Sequence, residues 1–402
     1  MSLSPRSRRV VLTGHLASRE APTGAERSLA LLAAGLARRG HRVTVLAPGP
    51  WCLSGELEEA GVQVRVVPTR PCWLTYWGSR PLPVVLWKGV RCAAAMRAVT
   101  RLAAALAELQ PDVVVVNCLP HLAAAAAARR LGRPWLWYLR EILPPGWRRR
   151  YFARRLVASG AVLVGVSEAV RAWVVGEQPS ALVDVVYNGV PIPAEVPEAP
   201  AVRLALGLPE GGVWVGYLGQ LAPHKGVRLF LESVAQASAA VRGLRALVAG
   251  PGSSRQQRQV QRWGRQLLGE RCTVLPPQQE VVPLLAACDV VCVPTLTPDP
   301  APRVVLEAMA VGRPVVASSS GGIPELIRHG LTGWLLTKGE ELPEALVRVG
   351  GDATLRQRMG QAGRRRAAEW FSLERHVTCV EEKLLAVGDS IPPLPSCSKE
   401  IT

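Results

Sequence analysis

The chain has 402 residues and a formal charge of +17, with 49% apolar and 20% charged residues. At ~150 residues per domain, this length predicts two or three domains, and the apolar share excludes a disordered or fibrous chain. The nine cysteines include no Cys-x-x-Cys pair, which argues against a zinc or disulfide framework and is typical of a reducing cytoplasm. No stretch approaches the ~18 uncharged apolar residues of a membrane span. We therefore expect a soluble protein, or one that lies on a membrane surface.

Basic residues are concentrated in the first half of the chain. Residues 1–195 hold 25 Arg and Lys against 12 Asp and Glu, whereas residues 196–402 hold 23 against 19. The resulting positive field should attract an anionic surface to the first half. No module that reads nucleic acid accompanies the charge, so we expect no nucleic acid partner.

Short apolar strands alternate with helical segments in the first half. The N-terminal segment 1–18 is read as a strand leading into a glycine loop, because its apolar run is too short for a signal peptide. Strands are predicted at 9–12, 43–47, 62–67, 113–116, 134–138 and 161–166, and helices at 29–39, 91–109 and 122–131. This alternation predicts a doubly wound parallel sheet in a domain spanning 1–190.

The same alternation begins again after a proline-rich segment, 191–202, which is predicted to be a semi-rigid linker. Strands are predicted at 214–218, 245–249, 273–275, 290–294 and 314–317, and helices at 227–240, 256–268, 282–287 and 304–311. The sequence thus predicts an α/β protein with two Rossmann-like domains facing across a cleft. Ligands of such sheets bind at the carboxyl ends of the strands. A disordered tail is expected at 389–402.

Two carboxylates follow the predicted strand that ends at Pro294. Asp299 lies in the loop and Glu307 about one turn inside a helix that begins near Arg303. Both can border one ligand, with backbone N–H groups at the helix start meeting a diphosphate or sugar hydroxyls. The alternative is that Asp299 caps the helix and Glu307 is a solvated helix residue.

This segment, followed by Gly-Gly-Ile-Pro-Glu at 321–325, resembles the donor-binding signature of the group 1 (family 4) retaining glycosyltransferases. Five further segments resemble motifs of that family in the same order along the chain: 23–27, 167–169, 188–190, 219–226 and 250–252. The resemblance implies a GT-B fold, with an acceptor-side domain at 1–190 and a donor-binding domain at 203–370. A helix at 371–388 would pack back on the first domain.

The resemblance also implies roles for individual residues. As catalytic residues, Glu307 would bind the donor ribose, Asp299 would touch the transferred sugar and Lys225 would neutralise the diphosphate. His121 would lie near the transferring sugar, although a capping or core histidine is an equal alternative. Gly24 would let the backbone approach the pyrophosphate or the acceptor, because a Cβ there would clash. The other expected donor-binding positions are Gly219, Gln220, Gly250, Ala301, Arg303 and Val304.

Three positions depart from the family pattern. Asp299 stands where the family has Glu, Ala301-Pro302 where it has Phe-Gly, and Gln220 where it commonly has Arg. Pro302 removes a backbone donor that would otherwise face the sugar. Because of these departures, an alternative interpretation remains, in which the protein is a catalytically degenerate relative that only binds nucleotide sugars or membranes. A nucleotide-sugar epimerase is disfavoured, because it would lack the donor segment.

The implied activity is retaining, metal-independent hexosyl transfer from a nucleotide diphosphate sugar, with no cofactor, in cell-surface polysaccharide or glycolipid synthesis. The acceptor would be a sugar, a lipid-linked molecule or another small molecule, and the enzyme cytoplasmic. Aromatic residues mixed with Arg and Lys suggest peripheral contact with the anionic inner membrane face, with a solvated basic face as the alternative. These residues are Trp73, Tyr76, Trp77, Trp87, Lys88, Arg91, Arg97 and Arg101, and then Trp147–Phe152, Arg154 and Arg155.

Overall fold

Two parallel sheets organise the chain in a computed structural model that describes residues 7–70 and 98–389. The first sheet has seven strands in the order β3-β2-β1-β4-β5-β6-β7, and the second has six in the order β10-β9-β8-β11-β12-β13. Every neighbouring pair in both sheets is parallel. The predicted α/β class with two Rossmann-like domains is confirmed.

Helices cover both faces of the first sheet, which explains why its central strands are apolar without alternation. The strands of this sheet are β1 (Arg9–Thr13), β2 (Arg42–Ala47), β3 (Gln63–Val66), β4 (Val113–Asn117), β5 (Trp135–Leu139), β6 (Val162–Gly165) and β7 (Val183–Val185). The described helices are α1 (Gly24–Arg38), α2 (Ser54–Glu59), α3 (Val99–Leu109), α4 (Leu122–Leu131), α5 (Trp147–Val157) and α6 (Glu168–Glu177).

The second sheet follows the same plan. Its strands are β8 (Val213–Leu218), β9 (Leu244–Ala249), β10 (Cys272–Leu275), β11 (Val290–Val293), β12 (Val315–Ser318) and β13 (Gly333–Leu336). The helices around it are α7 (Ala199–Ala205), α8 (Val227–Ala237), α9 (Ser254–Leu268), α10 (Val282–Ala287), α11 (Arg303–Ala310), α12 (Ile323–Leu326), α13 (Leu342–Gly351) and α14 (Ala353–Trp370).

The last helix, α15 (Leu373–Asp389), returns to the first domain. Its Val377, Val380 and Leu384 are buried in the core of that domain. Gly35 of α1 allows the close approach, because a Cβ there would lie 2.4 Å from Val377. Arg39 adds an ion pair of 2.5 Å to Glu381. The two domains are therefore tied together at the end of the chain as well as through the connecting segment.

The structure contains elements that the periodicity did not predict. Strand β7 has only three residues, which is too few for a period-2 pattern, and β13 has four residues of which the first is Gly333. Helix α7 begins inside the predicted linker, with Pro200 in its first turn, where proline costs no hydrogen bond. Of the predicted helix 91–109, residues 91–97 lie outside the described residues. So do the predicted tail beyond residue 389 and the aromatic and basic residues predicted between Trp73 and Arg97. No helix among the described residues is long and apolar enough to cross a membrane.

Candidate active site

A cavity of about 470 Å³ opens between the carboxyl edges of the two sheets. Its walls carry ten of the eleven residues singled out from the sequence: Gly24, Gly219, Gln220, Lys225, Gly250, Asp299, Ala301, Arg303, Val304 and Glu307. His121 does not line it. The chain thus brings together at one cavity residues that are up to 283 positions apart in the sequence.

Lys225 and Asp299 form an ion pair in this cavity, with Lys225 Nζ 2.6 Å from Asp299 Oδ2. The lysine ends a short 3-10 turn, and Gly226 follows it at φ +77°, a conformation that favours glycine. A Cβ at Gly226 would also lie 1.9 Å from the carbonyl oxygen of Pro294. The turn is therefore pressed against the end of β11, which places the lysine beside the acidic loop.

The loop that carries Asp299 is supported by the two glycines of the Gly-Gly-Ile-Pro-Glu segment. Gly322 donates its backbone N–H to the Asp299 carbonyl at 2.8 Å. Gly321 has φ +62°, and a Cβ there would lie 2.1 Å from the same carbonyl oxygen. Asp299 is buried and does not cap α11, whose N-cap residue is Pro302. These glycines hold the carboxylate at the cavity wall.

Glu307 lies one turn inside α11 and is held by Arg303. Arg303 donates through Nε and Nη2 to Glu307 Oε1, at 3.1 and 2.8 Å. Its Nη1 reaches Ser28 of α1 and the carbonyl of Gly189, both at 3.2 Å. Arg303 thus links the donor-side helix to the first domain. Its contacts use only one oxygen of Glu307 and leave Oε2 free of hydrogen bonds to the described residues.

Two histidines occupy the carboxyl edge of the first sheet, but only His15 lines the cavity. His121 is 1% exposed at the start of α4, and neither of its ring nitrogens has a hydrogen-bond partner in the part of the chain that the structure describes. Burial, followed by the proximity of His15, lowers the pKa of His121 to about 3. Burial and then Arg140 lower the pKa of His15 to about 4. The structure therefore places His121 behind the wall, as a core histidine, and leaves both rings neutral near pH 7.

A polar group on the first-domain wall is formed by His15, Arg140, Glu141 and Asn188. Asn188 was predicted from the sequence only as part of the interdomain segment, and the other three were not predicted as site residues. Arg140 and Glu141 directly follow β5, a strand whose residues are all buried. Their position immediately after an apolar strand is the signal from which they could have been predicted, because ligands of parallel sheets bind at the carboxyl ends of the strands. Burial raises the pKa of Glu141, and Glu141 Oε2 accepts the backbone N–H groups of Leu119 and Arg140 at 2.9 and 3.1 Å.

The predicted interdomain segment Asn188–Val190 is the point where the two domains and α15 meet. Asn188 Nδ2 donates to the Ala301 carbonyl at 3.4 Å. Val190 exchanges backbone hydrogen bonds with Phe371 and Leu373, both at 2.9 Å. This segment therefore connects the acidic loop, through Ala301, to the first domain.

A second contact between the domains joins two of the family-like motifs. Glu325 accepts the backbone N–H groups of Glu168 at 2.7 Å and Ala169 at 2.8 Å. These groups are at the start of α6, where unpaired N–H groups and the helix dipole favour a carboxylate. Gly322 faces Ser167 so closely that a Cβ would lie 2.9 Å from its side chain. Glu325 thus caps a helix of the other domain and fixes the relative position of the cleft walls.

Helix α5, on the surface of the first domain, carries the second aromatic and basic cluster. Trp147 is 61% exposed and Tyr151 44% exposed, whereas Phe152 and Leu156 are buried. Arg148, Arg150, Arg154 and Arg155 share this helix. The helix is therefore anchored by one face and presents aromatic side chains on the other. It follows the segment that carries Arg140 and Glu141, so it lies on the same domain as the polar cavity wall.

Both domains match known families. Residues 23–189 match the family described as glycosyl transferase 4-like domain, and residues 212–352 match glycosyl transferases group 1. Together these matches take in most of the chain.

A similar curated relative is the D-inositol 3-phosphate glycosyltransferase of Mycobacterium tuberculosis. It is 34% identical over 167 residues, which are 40% of this chain and 34% of the relative. The match thus spans about a third of the length of the relative.

Solved structures share the whole architecture. HepE of Anabaena in complex with UDP and glucose has a TM-score of 0.78 at 24% identity, covering 96% of this chain and 100% of that one. A glycosyltransferase from Rickettsia africae gives 0.77 at 16%, with 96% and 100% covered. WaaG, a glycosyltransferase of lipopolysaccharide biosynthesis, gives 0.69 at 18%, with 93% and 99% covered. At these identities the likeness shows the fold, two facing domains of the GT-B type.

Proposed function

The chain belongs to the group 1 (family 4) glycosyltransferases, and we propose that it transfers a sugar from a nucleoside diphosphate sugar to an acceptor held by the first domain. The observation that carries this proposal is the meeting of Lys225, Asp299 and Glu307 around the start of α11 in the interdomain cavity. A cation, a helix N-terminus and two carboxylates at one cavity are suited to a diphosphate joined to two hydroxyl-bearing rings.

Each residue has a chemical role in this proposal. Lys225 and the N–H groups at the start of α11 stabilise the charge on the diphosphate as its bond to the anomeric carbon breaks. Glu307 accepts hydrogen bonds from the ribose through Oε2, because Arg303 holds Oε1. Asp299 orients the transferred sugar. The acceptor oxygen forms the new bond to the anomeric carbon, and its proton leaves with the diphosphate.

Family membership supports retention at the anomeric carbon and transfer without a metal or cofactor, with a hexose as the transferred sugar. We place the reaction in the cytoplasm, in the synthesis of a cell-surface polysaccharide or glycolipid. UDP is the first nucleotide to examine, since HepE was solved with UDP and with UDP-glucose.

Thermal shift measurements with nucleoside diphosphates and their sugars test the donor site, because a bound ligand raises the melting temperature by mass action. We expect one nucleoside diphosphate to raise it and the matching monophosphate to raise it less. Release of that nucleotide from its sugar on addition of an acceptor then tests transfer. The absence of a shift with every nucleoside diphosphate contradicts the proposal.

Degeneracy is the second candidate, and it rests on two observed features. The first acidic position holds the shorter Asp299, and its carboxylate is already paired with Lys225. Pro302 is the N-cap of α11 and has no N–H to offer a ligand. This alternative would be established if the wild-type protein binds the donor tightly but releases no nucleotide with any acceptor, while the Asp299→Glu variant does release nucleotide.

We further propose that α5 contacts an anionic membrane and brings a lipid-linked acceptor to the cleft. Exposed Trp147 and Tyr151 suit the headgroup region, and the arginines of the same helix suit anionic lipids. Co-sedimentation with vesicles containing phosphatidylglycerol should fall when both aromatic residues are changed to serine. Trp370→Ser, at a half-exposed tryptophan of the other domain, is the matched control. This contact is refuted if co-sedimentation does not depend on anionic lipid, or if the double substitution leaves it unchanged.

A further inference from the structure

Arg140 differs from the other cationic side chains at the cavity in its electrostatic environment. Four arginine and lysine side chains line the described wall, and three have a carboxylate partner: Arg27 with Glu56, Lys225 with Asp299 and Arg303 with Glu307, at 2.7, 2.6 and 2.8 Å. Arg140 makes no ion pair within 4 Å among the described residues. It is therefore the one of these four cations that is not held in a direct ion pair with a described carboxylate.

Neutral groups hold the guanidinium of Arg140 in place. Its Nε donates to Asn117 Oδ1 at 2.7 Å and its Nη1 to Asn188 Oδ1 at 2.5 Å. The guanidinium carbon also lies 4.5 Å from the centre of the Tyr138 ring. Amide oxygens and an aromatic face orient a guanidinium without cancelling its charge. The third nitrogen, Nη2, is buried and has no hydrogen-bond partner among the described residues, which is a costly arrangement.

Among the neighbouring titratable groups, only Glu141 can offer a negative charge to Arg140. The imidazoles of His15 and His376 are neutral near pH 7, since burial and then Arg140 lower their pKa values to about 4 and about 3. Burial raises the pKa of Glu141 while Arg140 lowers it, but this carboxyl directs Oε2 to two backbone N–H groups and forms no ion pair with Arg140 within 4 Å. A half-buried, oriented cation without an ion-pair partner among the described residues is suited to an anion from outside.

We propose that Arg140 binds a phosphate group of the acceptor, so that the acceptor is a phosphorylated molecule. This inference rests on the proposed function, because it assigns the donor diphosphate to Lys225 and α11 on the opposite wall. Arg140 directly follows β5 in the first domain and lines the cavity, where its guanidinium charge can pair with a phosphate oxygen. A cation without an ion-pair partner among the described residues of this wall thus indicates the class of acceptor.

Binding of glycerol 3-phosphate, with glycerol as the neutral counterpart, tests the proposal by ³¹P NMR and calorimetry in the presence of saturating UDP. The wild-type protein should bind glycerol 3-phosphate and not glycerol. Arg140→Gln should lower the affinity for glycerol 3-phosphate by about tenfold or more while leaving the affinity for UDP unchanged. Arg140→Lys, which keeps the charge but not the fork, should bind with intermediate affinity. Arg130→Gln, at an exposed arginine of α4 outside the cavity wall, is the matched control, and it should bind as the wild type does.

The outcomes separate this inference from the proposed function. Equal binding of glycerol 3-phosphate by the wild type and a folded Arg140→Gln variant overturns the assignment, as does a loss of UDP affinity equal to the loss for glycerol 3-phosphate. The second result would mean that Arg140 serves the donor. Binding that depends on Arg140, in a protein that binds no nucleoside diphosphate, leaves the phosphate site in place and removes the proposed donor site.

Discussion

Replacing Lys225 with methionine is expected to reduce both diphosphate binding and stability, for reasons that a second substitution can separate. Methionine keeps most of the apolar stem but removes the charge 2.6 Å from Asp299. Two charges ~4 Å apart attract by about 4 kcal/mol at an effective dielectric constant of 20. The lysine side chain is 31% exposed, so solvent screening and desolvation reduce the net loss to about 1–2 kcal/mol. For a domain of this size, the melting temperature should fall by roughly 2–8 °C.

The same substitution should lower the affinity for UDP by about 10- to 100-fold, since a charge-assisted contact to the phosphates is lost. Calorimetry with UDP and thermal unfolding measure the two effects. Adding Asp299→Asn to Lys225→Met removes the unpaired buried carboxylate, and should restore stability but not UDP affinity. Lys338→Met, at an exposed lysine of the same domain, should change neither quantity. Wild-type UDP affinity in Lys225→Met, or its recovery in the double variant, would refute the role of Lys225.

Three further outcomes are expected. Glu307→Gln should weaken UDP by about tenfold but leave 2′,3′-dideoxy-UDP unchanged in calorimetry, because only the ribose contacts are lost; equal losses for both ligands would argue against ribose binding. Glu325→Ala should lower the free energy of unfolding by about 1–3 kcal/mol in urea and enlarge the radius of gyration in X-ray scattering, since the cap between the domains is lost; an unchanged radius would show that other contacts fix the cleft. The free energy of unfolding should fall as pH drops from about 6.5 towards 4, because the unfolded chain binds protons that buried His15, His121 and His376 do not bind in the folded protein; His15→Asn should flatten this slope, and an unaltered slope would contradict the low pKa of His15.

The motifs were readable in the sequence because the geometry they need restricts residue type locally. Gly321 requires a positive φ and a close approach to Asp299, which only glycine satisfies without strain. The capping box of Thr23 and Glu26 at the start of α1 is also set within four residues, but the apolar periodicity placed the start of this helix at residue 29. Alternation of strands and helices predicted both sheets, while the short β7 and β13 gave no such pattern.

The sequence did not show which groups the charged and titratable side chains contact in the folded protein. Nothing in the sequence near Glu325 indicates that it caps α6, 156 residues earlier. Likewise, His121 and His15 follow neighbouring strands, and only the packing of α4 decides which imidazole reaches the cavity.

By itself the sequence determined the fold class, the family and ten of the residues that line the cavity, because hydrophobic periodicity and glycine geometry act over a few residues. Tertiary structure decided the electrostatics: which carboxylate neutralises which cation, and which cation is left without one. Charge pairing depends on distances between strand ends brought together by the crossovers. That Arg140 has no ion-pair partner among the described residues therefore follows from the packing of Asn117 and Asn188 around it and from no local pattern.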